Sequence, residues 1–323
     1  MDYLKFLENK TTHQKISILS IPLDIGSDNT DMADAPKYLF RLGLQKALQS
    51  ASFKVNVLPE VPNLQKNLNK ARTKKNDLNN LINIISVVNK TVKREVLAKN
   101  KMLAIGGDHS ISIGTIGGAA EALAGDLGVI WIDAHGDINT HETSVTGNIH
   151  GMASAVILGF GEKKLTNTVK AKIKTENILF IGLKDLDQAE IDLIRSKKIS
   201  AITIMDILEE GFSVIIKNIE ALKKRVGNIW ISLDIDVIDE RFAPASSMAS
   251  PSGLSHREIT NLLTYIGKSC KVVGMDVVEI TPIKDVSNKT GKLCIELIAS
   301  GFGSKYDWYT EYMSHYSKIK QPT

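Results

Sequence analysis

Cysteine is nearly missing from this 323-residue chain: Cys270 and Cys294 are the only two. That excludes a disulfide framework and fits a reducing compartment such as the cytoplasm. Long hydrophobic runs are missing as well. No apolar segment approaches the roughly 18 residues needed to span a bilayer. The first residues, Met1-Asp2-Tyr3-Leu4-Lys5, lead into no apolar stretch of the signal-peptide kind. No linker rich in Pro, Gly or Ser divides the chain and no internal repeat is visible, so the expectation is one domain over residues 1–323 with short polar tails. Large net charge is missing too. The formal +4 permits a nucleic-acid partner but does not suggest one. The one basic block, 64–75 with Lys66, Lys70, Arg72, Lys74 and Lys75, has no interleaved aromatic residue and reads as a solvated face. Nucleotide signatures fail in the same way. Gly114-Thr115-Ile116-Gly117-Gly118 lacks the dinucleotide spacing, and no Gly-Lys-Ser/Thr loop occurs.

What is present is core material and buried strands. Hydrophobic residues make up 43% and charged residues 24%, as in a water-soluble protein with a sizeable interior. Eight short apolar runs recur: Ile16–Ile21, Val55–Leu58, Met102–Ile105, Val129–Ile132, Ile178–Ile181, Ala201–Ile204, Ile229–Leu233 and Val272–Met275. Several are apolar on both faces, as strands covered by helices on both sides are. Between them lie helix-patterned stretches, such as Leu78–Leu97 with Leu78, Leu81, Ile82, Ile85, Val88 and Val92 on one stripe. Strand–helix alternation predicts an α/β fold: a single three-layer domain around a mainly parallel, doubly wound sheet of about eight strands.

Chemistry-bearing residues cluster just past three of these strands. Asp133-Ala134-His135-Gly136-Asp137 follows Val129–Ile132, and alternate side chains of extended backbone share a face. Two carboxylates and an imidazole packed together conflict unless a cation lies among them. Asp234-Ile235-Asp236 repeats the spacing after Ile229–Leu233, with Asp239 close behind, and Gly106-Gly107-Asp108-His109-Ser110 follows Met102–Ile105. Ligand sites in open parallel sheets gather beyond the carboxyl ends of strands. Four aspartates and two histidines exceed the needs of one ion and suit two that share carboxylates. Oxygen-rich ligation without thiolate favours Mn²⁺, with Fe²⁺, Co²⁺ and Ni²⁺ as alternatives, over a structural zinc.

In this order the three motifs resemble those of the ureohydrolases, the group of binuclear manganese amidinohydrolases that contains the arginases; the likeness runs from about Ile16 to Gly303. The resemblance implies that His109, Asp133, Asp137 and Asp234 hold one Mn²⁺, and Asp133, His135, Asp234 and Asp236 a second. Asp137 would also orient a bridging hydroxide that attacks the guanidinium of L-arginine, giving L-ornithine and urea. Within the group, Asp137-Ile138-Asn139-Thr140 and Thr146-Gly147-Asn148-Ile149-His150-Gly151 resemble the arginase pattern. Asn139, Thr146 and Asn148 would then grip the substrate α-carboxylate, Asp187 with Glu190 the α-ammonium, and Glu279 the guanidinium, while His150 would serve the leaving amine with a proton. The resemblance also implies a trimer or hexamer.

The chain departs from that pattern in four places. Thr146 stands for a serine. Glu240 follows Asp239 where a proline is usual. Ser247-Met248-Ala249 replaces Gly-Thr-Pro, so Met248 brings a thioether where a hydroxyl lies near the reacting group. The glycine-rich N-terminal loop is replaced by 27–35, with only Pro36 matching. These changes leave a ureohydrolase for another guanidino or formimino acid as the alternative. Of the remaining histidines, His13, His315 and His256 read as structural or surface residues, His256 at a helix start, and His141 as a rim residue.

Overall fold

The computed structural model describes residues 14–28, 31–62 and 74–304. His13, His315 and most of the basic block therefore lie outside the described residues. All eight expected strands form: β1 (Lys15–Ile21), β2 (Lys54–Val57), β3 (Lys101–Gly106), β4 (Gly128–Ile132), β5 (Ile178–Leu183), β6 (Ser200–Thr203), β7 (Ile229–Asp234) and β8 (Val272–Val278). They make one sheet in the order β2-β1-β3-β8-β7-β4-β5-β6, and every pairing is parallel. "Mainly parallel" thus sharpens to fully parallel.

Alternate residues of the inner strands feed two separate cores, one per face. On one face Ile16, Ile18, Leu103, Ile105, Ile130 and Ile132 pack under α1 (Ala35–Arg41), α2 (Leu44–Ser50), α8 (Phe212–Lys223), α9 (His256–Ser269) and α10 (Lys289–Gly301). On the other, Leu19, Ile21, Met102, Ala104, Val129 and Trp131 pack under α3 (Lys74–Leu97), α4 (Ile111–Ala122) and α5 (Ala153–Leu158). Ile194 of α6 (Gln188–Ser196) joins the second core, and Ile207 of α7 (Ile204–Glu210) the first. The result is the three-layer architecture read from the runs.

Local signals explain several boundaries. Ser255 caps α9 by accepting from the Glu258 N–H, while Glu258 reaches back to the Ser255 N–H, a reciprocal capping box. His256 indeed starts that helix, and its Nε2 lies 3.3 Å from Glu296. The glycine-rich stretch 114–118 belongs to α4, which is buried over Ile111–Ala120 and packs directly on α3. A Cβ on Gly118 would fall 2.5 Å from the Asn89 carbonyl oxygen. These glycines serve helix contact, which is why they lack a phosphate-binding spacing.

The sheet order has one consequence for function. β3, β8, β7 and β4 are neighbours at the centre, though far apart in sequence. Their carboxyl ends open onto one spot, and the three motifs and Glu279 sit there.

Candidate metal centre

Each chemical residue is placed by the end of a strand. β3 runs into Gly106-Gly107, where the chain crosses against the loop after β1. A Cβ on Gly107 would fall 1.5 Å from the Leu23 carbonyl oxygen, so only glycine fits. Asp108 then turns away from the centre. It accepts from the Gly26 N–H at 2.7 Å and from the Ser110 N–H at 2.9 Å, tying the N-terminal loop to this motif. His109 points inward. Its ring stacks on Trp131, centroids 4.1 Å apart at 15°, and the Trp131 indole N–H donates to Asp133 at 2.9 Å.

On the far side of the His109 ring, Nε2 lies 2.9 Å from Ser232 Oγ, which donates onward to Asp276 at 2.5 Å. Asp276 is fully buried and also accepts from Thr115, Trp230 and Ser112. With all its acceptor positions occupied by donors, Asp276 directs the Ser232 hydrogen to itself. Ser232 then accepts from Nε2–H, and His109 Nδ1 is left with a lone pair. That lone pair faces Asp137 Oδ2 at 2.9 Å, Asp133 Oδ2 at 3.1 Å and Asp234 Oδ2 at 3.4 Å. None of these contacts meets hydrogen-bond geometry, and Nδ1 is buried without a partner. An imidazole nitrogen among three carboxylate oxygens is a donor set for a cation.

A second set adjoins it. His135 Nδ1 lies 3.0 Å from Asp236 and 3.5 Å from Asp133. His109–Asp133–Asp137 and Asp133–His135–Asp236 each bring one donor atom per residue within 4.8 Å, and Asp133 is common to both. Asp234 stands between them, near His109 and with its other oxygen accepting the Asp236 N–H at 2.9 Å. All six expected ligand residues therefore meet in one place. Asp239, the extra acid after the third motif, does not join them: Arg241 and the Ser252 N–H hold it.

The electrostatics of the cluster have the same meaning. Burial, then the Asp236 and Asp133 charges, push the Asp234 carboxyl well above the usual carboxylate range. Burial and Asp133 push Asp236 up to about 6. Burial opposes protonation of His109 and His135, yet the surrounding aspartates outweigh it and favour a positive charge at both rings, which a cation at the Nδ1 lone pair of His109 would supply in place of a proton. Buried acids this close call for positive charge, and divalent ions are the strongest local source of it.

Two further site residues adopt unusual backbone. Asp137 has φ +47° and Glu279 φ +64°, a left-handed conformation that a side chain other than glycine takes only when the surroundings enforce it. For Glu279 the surroundings are explicit. Its N–H donates to the Gly107 carbonyl at 2.8 Å, and its carbonyl accepts the Ser247 N–H at 3.0 Å. Its carboxylate takes the His109 N–H at 2.8 Å and His150 Nδ1 at 3.1 Å on Oε1, and the Ser247 hydroxyl on Oε2. Burial opposes a charge on His150, but Glu279, with Asp137 and Asp108 behind it, raises the imidazole pKa to about 9.

Above the cluster lies a cavity of about 430 Å³. Its floor includes Asp137, His135, Asp234, Asp236 and Glu279; its walls include Asn139, Thr146, Asn148, His150, Asp187 and Glu190. Every site residue expected from the sequence, apart from the deeply buried His109 and Asp133 behind the floor, faces this space. No lysine or arginine among the described residues lines it. Two wall residues carry a structural task as well. Asp187 and Glu190 form the capping box of α6, and Glu190 also accepts the Ile138 N–H at 3.2 Å, tying α6 to the second motif. The wall amides already have acidic partners: Asn139 donates to Asp187 at 2.9 Å and Asn148 to Asp28 at 3.1 Å. His141 stays at the rim, beside a smaller side cavity. Sequence reasoning does not reach the supporting roles of Ser232, Asp276, Asp108, Ser247 and Asp28. The strand positions of Ser232 and Asp276 beside Asp234 and Glu279 are the only hint.

The family model described as "Arginase family" matches residues 14–303, almost the whole described chain. The chain belongs to the arginase family. An arginase of Staphylococcus aureus is 34% identical over 298 residues, covering 91% of this chain and 98% of that one. The crystal structure of Bacillus caldovelox arginase superposes with a TM-score of 0.85 at 33% identity, over 90% of this chain and 99% of that one. An Entamoeba histolytica arginase solved in complex with L-ornithine gives a TM-score of 0.83 at 30% identity, over 91% and 100%. This arginase-family hydrolase therefore shares the sheet and, at its centre, carries a His/Asp cluster able to hold metal. No helix among its described residues is long and apolar enough to cross a membrane.

Proposed function

We propose that this protein hydrolyses L-arginine to L-ornithine and urea at a centre of two divalent ions. The carrying observation is the pair of donor sets that share Asp133 beneath a cavity floored by Glu279. The relatives named above are arginases, and that supports the same substrate here. His109, Asp133, Asp137 and Asp234 would hold one ion; Asp133, His135, Asp234 and Asp236 the other. Oxygen donors with two imidazoles suit Mn²⁺, and Co²⁺, Ni²⁺ or Fe²⁺ compete for such a set. Two divalent ions held there would supply a hydroxide near neutral pH by acidifying a bound water.

The chain's own residues do the rest. Glu279 binds the planar guanidinium through parallel hydrogen bonds and sets its carbon over the metal floor. Asp137 accepts a hydrogen bond from the attacking oxygen and orients it. As that oxygen adds to the guanidinium carbon, the bond to the δ-nitrogen weakens and that nitrogen needs a proton. His150, protonated at neutral pH and held by Glu279, delivers it, so ornithine leaves as an amine and urea remains. Asn139, Thr146 and Asn148 donate to the α-carboxylate without adding a charge that repels the ammonium. Asp187 and Glu190 face the α-ammonium. The unit is one domain spanning residues 1–323 that works in the cytoplasm as a trimer or hexamer, which sedimentation analysis would measure.

The relatives do not favour the alternative, a ureohydrolase for another guanidino or formimino acid; Met248 in the cavity wall and Asp28 on the Asn148 amide are the features that make it worth testing. Urea release from arginine, agmatine, guanidinobutyrate and formimidoylglutamate, after loading with Mn²⁺, Co²⁺ or Ni²⁺, separates the two. Arginine should lead by kcat/KM. Preference for another substrate under every metal overturns the assignment.

A further inference from the structure

We propose that Ser247 is a positioning residue for the guanidinium-binding carboxylate, the hydroxyl that fixes Glu279 in its bidentate orientation; this rests on the reading of Glu279 above. The sequence leaves three serines, Ser246, Ser247 and Ser250, as sources of a hydroxyl beside the thioether of Met248. The structure separates them. Only Ser247 joins Met248 and Glu279 in lining the cavity. Ser246 Oγ is turned back to the Met248 N–H at 3.4 Å, and the Ser250 carbonyl receives Lys184.

Ser247 is buried and tied to Glu279 twice. Its N–H donates to the Glu279 carbonyl at 3.0 Å, and its Oγ–H donates to Glu279 Oε2 at 2.5 Å. The neighbouring pair Ser246 and Ile280 forms an antiparallel bridge, and the Thr281 N–H donates to the Ala245 carbonyl at 2.9 Å, so the two segments are zipped together. Lys284 then binds the carbonyls of Ser246 and Ser247, both at 3.3 Å, and closes the turn from the other side. The hydroxyl is thus held by a fixed backbone and aimed at one atom.

That atom decides the orientation. Glu279 Oε1 is already held by the His109 N–H and His150. Oε2 has no donor besides Ser247 among the described residues. Without it the carboxylate is anchored at one oxygen and can swing about that anchor, and a two-point grip on a planar cation needs both oxygens in plane. A hydrogen bond to a charged acceptor is worth enough to hold one rotamer. The Ser247 hydrogen is committed to Glu279, so this hydroxyl is not free to donate to charge that develops on the substrate.

The test compares Ser247→Ala and Ser247→Thr with the wild type, all metal-loaded with metal content measured. Ser247→Ala should raise KM for L-arginine by roughly 10-fold, with a smaller change in kcat. Product inhibition by L-ornithine, which has no guanidinium, and metal content should stay as in the wild type. Ser247→Thr, which keeps a hydroxyl, should recover most of the KM. Equal weakening of arginine and ornithine, or loss of metal, would make Ser247 merely structural and overturn the proposal. So would an unchanged KM in Ser247→Ala. If the wild type turns over a different guanidino compound, the substrate assignment fails and the same comparison is read on that compound. If it turns over none, arginine binding by calorimetry, then free of turnover, distinguishes a positioning Ser247 from a structural one in the same way.

Discussion

At the scale of single residues, the site is a set of hydrogen-bond decisions made just behind the His/Asp cluster that could hold metal. Asp276 accepts four donors so that Ser232 can accept from His109, and Trp131 both stacks on His109 and holds Asp133. Removing a ligand should therefore cost metal before it costs fold. Asp234→Ala should lose most of the bound metal and nearly all activity; two equivalents per chain by elemental analysis would rule out its bridging place. Met248 poses the opposite case. It is half exposed at the cavity and donates nothing. Met248→Thr should raise kcat for arginine by up to roughly tenfold with little change in KM, because a donor aimed at developing charge acts only in the transition state. An unchanged or lower kcat at full metal loading would mean that Met248 merely fills space. The clustering of the six candidate ligands was legible because Asp-x-His-x-Asp and Asp-x-Asp, which hold five of them, and Gly-Gly-Asp-His-Ser, which holds His109, each follow an apolar run directly. The pairings of Ser247 and Asp28 were not, because their partners lie 32 and 120 residues away. The backbone signs of Asp137 and Glu279 were hidden too, since neither is a glycine.

At the scale of elements, the strands were legible almost to the residue. The inner strands lie between two cores, so they are largely apolar on both faces, whereas the edge strand β2 is exposed or half-buried throughout. β8 runs longer than its apolar core suggests, ending at Val278 because Asp276 continues the strand as a buried polar residue. The first residue of β3 offers a test of burial away from the site. Lys101 starts the strand beside the Phe302 ring, 5.5 Å from its centroid, and burial lowers its ammonium pKa to about 8. A lysine whose folded pKa lies below its unfolded value carries a penalty while charged. That penalty is complete below pH 8 and fades as pH rises toward the unfolded value, because there the unfolded chain binds the extra proton. Lys101→Met should therefore stabilise the fold by about 1–2 kcal/mol at pH 7, and by less at pH 10. Equal stabilisation at both pH values in denaturant titrations would show that the charge is not desolvated.

At the scale of the molecule, stability and function share the same acids. Asp137, Asp234, Asp236 and Glu279 are buried in one cavity floor with Asp133 behind it, and like charges there oppose folding. Ions that bind only the folded chain add stability as their concentration exceeds Kd, about 2.7 kcal/mol at a hundredfold excess. Chelation should therefore lower Tm by several degrees, and added Mn²⁺ or Co²⁺ should restore it, as scanning calorimetry can record. A Tm indifferent to chelator would mean that the acids meet no cation.

The strand order also bears on how the chain is made. β8 is the last strand in sequence among the described residues, yet it lies in the middle of the sheet between β3 and β7. Until the ribosome has released Val272–Val278, the β2-β1-β3 and β7-β4-β5-β6 portions cannot join, and each presents an open hydrogen-bonding edge. Such edges are templates for pairing with other chains, and contacts that close over so long a separation form late. The candidate ligands are divided between those two portions: His109 on one, the aspartates and His135 on the other. The donor set of Asp133, His135 and Asp236 lies wholly on the portion that carries β7 and β4, whereas the set that includes His109 is completed only when β8 closes the sheet.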